Sequence, residues 1–544
     1  MPKHLFAMLY KQNFLQIDEP KQMSHYFPRM SFKHTIFAIL LGFSLVKPVA
    51  AEIPSGPITL EQCIKTAVEN NLSLRISNYQ PRIAMLSLDS AYSAYDVRLN
   101  LGLTDSHRIS KGRQNPLEFT IPTSETDSLR HNIGLNGLIP TGARYSLGLN
   151  SSETTGTSAN DFPFGSYGSG FNLSVTQPLL RGAWNGNSTR MQIMLSKQQV
   201  ETSSLGVKQQ IMQTVASVET AFYNLIADRQ NLTIAEDSLK NAQEDLRIMK
   251  IKTNVGTEAK TRLPQLEAEV YSRQASLISV QNSYTNQVNT LKSLMSDDFA
   301  SVTDKELSPV GELNPIQTVF NQSDSWDKAL NNRPDILQSS IALERADIRL
   351  KYSKNQIYPQ LDLRGTYGLT GSDNAVTSFR DKRPYISRSA TFDNAFRDIR
   401  KGDYPNYSVG LSLNIPIPNR AARADYKTSQ AQKEIAILQH KQLEQSIMID
   451  IDSLIRQAES SYERIEATRL ARVSGELAVK NERTLRDEGA STDFVVLRAE
   501  RDLTSRRYSE IRAKADYLIA LSRLALAEGS TLENRGITVE FVEE

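Results

Sequence analysis

Two kinds of hydrophobic periodicity alternate along this chain. From Tyr407 to Ile415 every second residue is apolar: Tyr407, Val409, Leu411, Leu413 and Ile415. Ser408, Gly410, Ser412 and Asn414 lie between them. A period of two predicts a strand with one greasy and one wet face. Pro416 and Pro418 end it, and Asn419–Glu488 then runs without proline and with one glycine, Gly475. At ~1.5 Å per residue a helix of that length measures ~100 Å, beyond ordinary globular helices. The same order occurs earlier. Phe171, Leu173 and Val175 alternate up to Pro178, and Asn187–Asn254 follows without proline. Within it Val215, Val218, Phe222 and Leu225 are spaced 3, 4 and 3, a coiled-coil seam. Gly256 and Gly489 stop the two long helices, as glycines just past a helix end do.

Other stretches follow the same logic. Ile58–Tyr95 reads as a helix that Pro81 kinks or splits. Val97–Leu101 alternates, as do Ile133–Ile139 and Tyr145–Leu149, the last two joined by a turn at Pro140-Thr141-Gly142. Ser106–Ser128 and Ser151–Gly170 are polar and read as loops.

One offset maps much of the chain onto itself. Ala67 and Ala329, Asn70 and Asn332, Leu99 and Leu361, and Leu101 and Leu363 all differ by 262. Val175-Thr-Gln-Pro178 matches Leu413-Asn-Ile-Pro416 at 238, and Gly256 matches Gly489 at 233. The expected organisation is therefore an internal duplication. Residues 1–51 form a leader. Residues 52–296 form a first repeat with a helix, strands over 96–178, a long helix over 187–254 and a helix over 259–295. A linker or equatorial segment spans 297–325. A second repeat, 326–530, holds a helix, strands over 359–416, a long helix over 419–488 and a helix over 491–528. A tail covers 531–544.

The strands are long enough to cross a bilayer at a tilt. In lipid their backbone groups must all be paired, which requires a closed barrel. Asn132, Asn136, Ser146, Asn150, Ser408 and Asn414 suit a wet lumen. Six strands or fewer are too few to close alone, so a barrel here is shared between chains. A soluble sandwich has the same alternation and stays open at this point. The long helices carry charged faces, such as Lys197, Glu201, Lys433 and Glu444. They belong in water as coiled coils, not in a bilayer.

Composition narrows the class further. Net charge is +2 with 23% charged residues, and mean hydropathy is −0.40. No basic run is interleaved with aromatics, so nucleic acid is not an expected partner. Arg29, Lys33 and His34 precede the apolar run Thr35–Val46, with small residues to Ala51. That order predicts a secretory signal peptide cleaved after Ala51. Met30 is an alternative start to Met1. The single cysteine, Cys63, lies too far past the cleavage point to carry a lipid and reads as a helix-face residue. Beyond the leader only His107, His131 and His440 remain, and no nucleophile, metal or phosphate motif is present. The expectation is no enzyme, no catalytic residue, no metal and no cofactor.

The duplicated unit resembles the TolC family of outer-membrane efflux and secretion channels (outer membrane factors). The resemblance runs from about Ile53 to Leu532. It rests on the duplication, on Gln177-Pro-Leu-Leu-Arg-Gly182 and Asn414-Ile-Pro-Ile-Pro418, on Asn332-Arg-Pro-Asp-Ile336, and on Gly489-Ala-Ser-Thr-Asp-Phe-Val-Val-Leu-Arg-Ala-Glu500. It implies a mixed α and transmembrane-β fold: a trimeric β-barrel joined to a long periplasmic α-helical coiled-coil barrel. It implies an outer-membrane homotrimer that exports substrates through a periplasmic adaptor protein and an inner-membrane transporter, in a tripartite efflux pump or type I secretion system. Adaptor docking falls on Val255, Gly256, Thr257, Gly489, Ala490 and Ser491. Pro178, Pro416 and Pro418 become barrel-to-tunnel elbows. The family closes its tunnel with acids after the second tip. Here the matching positions are Val495 and Arg498, so Asp493, with Arg498, marks the candidate periplasmic aperture. The family's usual four strands per protomer is the expectation, with six if the hairpin Asn132–Asn150 joins the barrel. The alternative from another class is a periplasmic coiled-coil scaffold with a soluble β domain.

Overall fold

The computed structural model describes residues 56–114, 120–121, 123–158 and 162–537. The leader and the end of the tail lie outside them. The chain opens with strand β1 (Gly56–Ile58), then α1 (Leu60–Asn70) and α2 (Leu72–Tyr92). The break between these helices is at Asn71, not at Pro81. Asn71 accepts hydrogen bonds from Ser73 N and Leu74 N and donates to Leu294 O at 2.9 Å. Its side chain caps α2 while tethering it to a neighbour, and α2 continues through Pro81.

Strands follow: β2 (Arg98–Ser110), the short pair β3 (Arg113–Gln114) and β4 (Thr120–Ile121), β5 (Ser124–Leu138), β6 (Arg144–Thr157) and β7 (Pro163–Pro178). Helices α3 (Ser188–Asn254) and α4 (Leu263–Met295) form the first long hairpin. The segment expected as a linker or equatorial segment, 297–325, holds β8 (Leu307–Pro309), which pairs in parallel with β1. Next come α5 (Gln322–Asn332), α6 (Pro334–Gln356), β9 (Gln360–Asn374), the ribbon β10 (Val376–Arg380) and β11 (Arg383–Arg388), and α7 (Phe392–Lys401). Strand β12 (Pro405–Asn414), the second hairpin α8 (Arg420–Asp487) and α9 (Asp493–Glu528), and α10 (Thr531–Asn534) complete the chain.

Six strands form one antiparallel sheet in the order β12-β9-β7-β6-β5-β2. The four-strand expectation is corrected here. The hairpin of β5 and β6 is paired without interruption between β2 and β7. The polar stretches expected as loops also belong largely to strands. Strand β2 reaches Ser110 and β6 reaches Thr157. When both faces of a strand are wet the period-two signal vanishes, but the backbone ladder continues.

The helices bury their apolar seams midway along the molecule. Val215, Val218 and Leu225 are fully buried, and Phe222 nearly so. They pack with Cys63, Ile64, Leu291 and Met295 in one core, while Ile447, Ile451, Ile455 and Leu524 join Ala329 and Ile336 in another. Burial pushes the Cys63 thiol up to about 12, although its own backbone hydrogen bond pulls the other way. This thiol is inert at neutral pH, since only the thiolate reacts.

The Asn332-Arg-Pro-Asp-Ile336 motif is a helix corner. Arg333 ends α5 and Pro334 starts α6, where its missing N–H costs nothing. Arg333 forks onto Asp335 at 2.7 and 3.0 Å and donates to Ala527 O at 3.1 Å. Burial alone raises the Asp335 pKa, but the Arg333 guanidinium outweighs it and holds the carboxyl below its usual range. Arg333→Ala removes both links at once. It should lower stability by about 1.5–3 kcal/mol, the usual worth of charged hydrogen bonds, read as a reduced denaturation midpoint by circular dichroism.

Candidate functional site

The six-stranded sheet presents two chemically distinct faces. Leu99, Leu135, Leu147, Leu173, Tyr367 and Tyr407 stand side by side across all six strands. The next row on that face is Leu101, Ile133, Leu149, Phe171, Leu369 and Pro405. Between them, on the other face, run Asn100, Gly134, Gly148, Asn172, Gly368 and Asn406. Polar neighbours on that face bond across strands: Asn100 to Asn136 at 2.8 Å and Thr366 to Ser408 at 2.6 Å. Ile133 and Leu149 are exposed on the apolar face. One face is dressed for hydrocarbon and the other for water.

Both outer strands of the sheet are bare. Every residue of β2 and of β12 is exposed. Their free edges carry unpaired backbone groups, which lipid does not tolerate.

At the other end of the strands the chain turns into the helices. The first elbow is clamped by the end of α6. Asn355 accepts from Gly182 N at 2.9 Å and donates to Leu180 O at 3.2 Å. Gln356 donates to Gly186 O at 3.1 Å and Arg181 to Gln360 at 2.7 Å. Pro178 is the last residue of β7, and Leu179 N still bonds Leu361 O. The second elbow, with Pro416 and Pro418, is sparser. Asn419 donates to Ile357 O at 3.1 Å, and Ile415 and Ile417 are exposed.

The far ends of the two hairpins have the same cap. At the first, Gly256 (φ +82°) donates to Thr253 O and Thr257 N to Lys252 O. At the second, Gly489 (φ +79°) donates to Arg486 O and Ala490 N to Leu485 O. Each is a Schellman motif, whose left-handed residue is glycine because a Cβ is unfavourable there. Val255, Gly256, Thr257, Gly489 and Ala490 are exposed, and Ser491 is half-buried with its hydroxyl on Glu482 at 2.7 Å.

Side chains tie the two tips together. Asp493, the first residue of α9, meets Arg262 of the first hairpin at 3.3 Å and Arg486 at 3.9 Å. Arg498 is exposed and makes no ion pair among the described residues. About two turns further along, buried Glu269 of α4 accepts from Arg273 at 2.7 Å and from Arg501 of α9. Burial raises the Glu269 pKa, but Arg501 and Arg273 outweigh it and hold the carboxyl below its ordinary value. Met249 of α3, Leu266 of α4 and Leu497 of α9 form a small apolar contact. Beside it lies a cleft of about 550 Å³ lined by Asp237, Lys480, Arg483, Glu500 and Arg507 among others. The sequence singles out Asp493 but not its partner Arg262, nor Glu269 and Arg501. The partners in each pair lie more than 200 positions apart, and no local pattern links them.

The model of outer membrane efflux proteins matches residues 142–296 and 326–530. The chain belongs to the outer membrane efflux protein family. It is 23% identical over 363 residues to outer membrane efflux protein BepC of Brucella suis, covering 65% of this chain and 72% of BepC. It is 22% identical over 524 residues to probable efflux pump outer membrane protein TtgC of Pseudomonas putida, covering 90% and 93%. Alkaline protease secretion protein AprF of Pseudomonas aeruginosa is 22% identical, with 79% of this chain and 84% of AprF covered. Among solved structures, the Campylobacter jejuni CmeC outer membrane channel superposes with a TM-score of 0.62 at 16% identity, covering 87% of this chain and 88% of CmeC. This outer membrane efflux protein is accordingly a channel component of an export system, located in the outer membrane with a periplasmic extension. The family is one of transport conduits rather than enzymes. The soluble-scaffold alternative is set aside.

Proposed function

We propose that three copies of this chain form one export duct: an eighteen-stranded barrel (three times six strands) continued by a periplasmic tunnel of helix hairpins. The bare edges of β2 and β12 carry this reading. Strand β2 points away from the helices and β12 toward them, so β12 of one protomer and β2 of the next meet antiparallel, as a closed barrel requires.

The apolar band supports closure in a second way. On β2 it centres on Leu101, whose row partner on β12 is Pro405. On β12 the band runs from Tyr407 to Leu413 and centres near residue 410. It therefore slips five residues over five strand steps. One residue per step is ~3.3 Å along for ~4.8 Å across, a tilt of about 35°. Membrane barrels tilt by roughly 35–45°. A barrel of this strand number leaves an aqueous channel when unplugged.

The long hairpins of the two repeats, from the internal duplication, line the tunnel. Their tips at Val255, Gly256, Thr257, Gly489, Ala490 and Ser491 dock a periplasmic adaptor, which connects to an inner-membrane transporter. Exposed Ile251, Val255 and Phe494 offer apolar contacts there. Asp493, held by Arg262, and Arg498 form the periplasmic aperture. A reconstruction in lipid nanodiscs should contain eighteen strands around one lumen. Twelve strands, with β5 and β6 folded away from the wall, would overturn the six-strand reading.

A further inference from the structure

Helix α7 packs on the sheet itself, against β7 and β9, at the end away from the elbows. That end faces the cell exterior, because the long helices are periplasmic. The mount is tight. Ser169 donates to Ala395 O at 2.8 Å, and Ala395 is fully buried. A Cβ on Gly371 would lie 1.9 Å from that same carbonyl oxygen, so the close approach needs glycine. Asp373 at the end of β9 accepts from Arg388 at 2.8 and 3.1 Å, from Thr391 N at 2.9 Å and from Asn394 at 3.0 Å. These bonds fix both the start of α7 and the chain leading into it.

Ser169 and Gly371 belong to the apolar face of the sheet, one row beyond Phe171 and Leu369. So α7 sits at the outer rim of the hydrocarbon band. Phe392, Phe396 and Ile399, at i, i+4 and i+7, form its apolar side. The two rings stack at 5.6 Å. With Ile133, Leu149 and Tyr167 they line an open, largely apolar cleft of about 550 Å³, within the ~300–1,000 Å³ typical of ligand sites. Basic residues border that side and lie behind it. Arg397 pairs with Asp393, but Arg400, one turn after Phe396, and Lys401, on the far side, are exposed and make no ion pair among the described residues. The whole excursion, residues 376–404, carries seven Arg or Lys against four Asp.

We infer that the cleft between α7 and β5–β6 seats an acyl chain of a phosphorylated outer-leaflet lipid, with Arg400 and Lys401 taking its phosphate. The cleft continues the apolar band into which acyl chains already pack, and the two free cations stand where an anionic headgroup begins. This rests on the reading that the apolar face meets lipid. An amphipathic helix at that depth has its apolar side in the acyl boundary and its basic side among headgroups.

The test is native mass spectrometry of the detergent-purified full chain with added lipid A, phosphatidylethanolamine or inorganic phosphate. Lipid A should be retained and phosphatidylethanolamine should not. Arg400→Gln with Lys401→Gln should weaken lipid A binding about thirtyfold, as loss of two juxtamembrane charges does. Phe396→Ser, on an exposed ring, should weaken it with both cations intact. Equal lipid A binding by wild type and variants, equal retention of phosphatidylethanolamine, or displacement by inorganic phosphate at similar concentration would each overturn the inference. A polypeptide recovered in the cleft from native membranes would do the same. Conductance of the same preparations separates the two claims: a conducting channel that ignores lipid A refutes only the lipid site, and a non-conducting one refutes the duct.

Discussion

Cysteines at Leu101 and Leu411 should link neighbouring protomers into a covalent trimer. The band slips by about one residue per strand. One more step past β12 sets Leu101 of the next chain opposite Leu411 (410 plus one). Directly opposed residues on one face of an antiparallel pair lie ~4.5–5.5 Å apart at Cβ, near the ~3.5–4.5 Å of a disulfide. Leu101→Cys with Leu411→Cys should migrate as a trimer in denaturing, non-reducing gels and collapse to monomer on reduction. Either single variant should stay monomeric. Cys63 can remain in place, since it is fully buried and its thiol is protonated at working pH. A double variant that never cross-links, while Leu101→Cys pairs with a cysteine two rows away, would correct the register but keep the barrel. Cross-linking at none of the β12 positions would refute closure by β2 and β12.

Cutting both charged ties between the hairpins should open the periplasmic end. Asp493 holds Arg262, and Arg501 helps hold Glu269. Without them the small apolar contact of Met249, Leu266 and Leu497 is left to hold the tips. Asp493→Ala with Arg501→Ala should raise single-channel conductance in planar bilayers severalfold. If these ties are struts and not a latch, the thermal midpoint falls and conductance stays at the wild-type level. The wild type should resist opening by mild acid. The Glu269 pKa is lowered in the folded chain, so its contribution is fully present above the ordinary glutamate value of ~4.3. It is lost only as pH drops through the depressed folded value.

Helix ends were the most legible part of this molecule. Gly256 and Gly489 mark turns that only a residue without a Cβ adopts easily, and such positions announce themselves in one letter. The seam Val215–Leu225 was equally plain, because burial of a coiled coil imposes its spacing. The sheet was half legible. Alternation reveals a strand only where one face is greasy, so the outer parts of β2, β5, β6 and β7 read as loops. The hairpin of β5 and β6 has the alternation, but family habit argued for four strands, and only the ladder from β2 to β7 counts it in. Helix α7 did leave a signal in Phe392, Phe396 and Ile399 before Gly402. A ten-residue helix holds too few turns to stand out. Pro81 misled because its helix continues through it, whereas Asn71, polar and inconspicuous, makes the break. The ties at the tips belong to tertiary structure alone.

The unequal elbows have a mechanical consequence. Four hydrogen bonds from Asn355, Gln356 and Arg181 bolt the first elbow to the neck between α6 and β9. The second elbow has Asn419 on Ile357 as its side-chain anchor among the described residues. A lever pivots at its softest joint. The second elbow is the softer joint of the two, so strain applied at Gly489 should swing α8 and α9 further than the same strain at Gly256 swings α3 and α4.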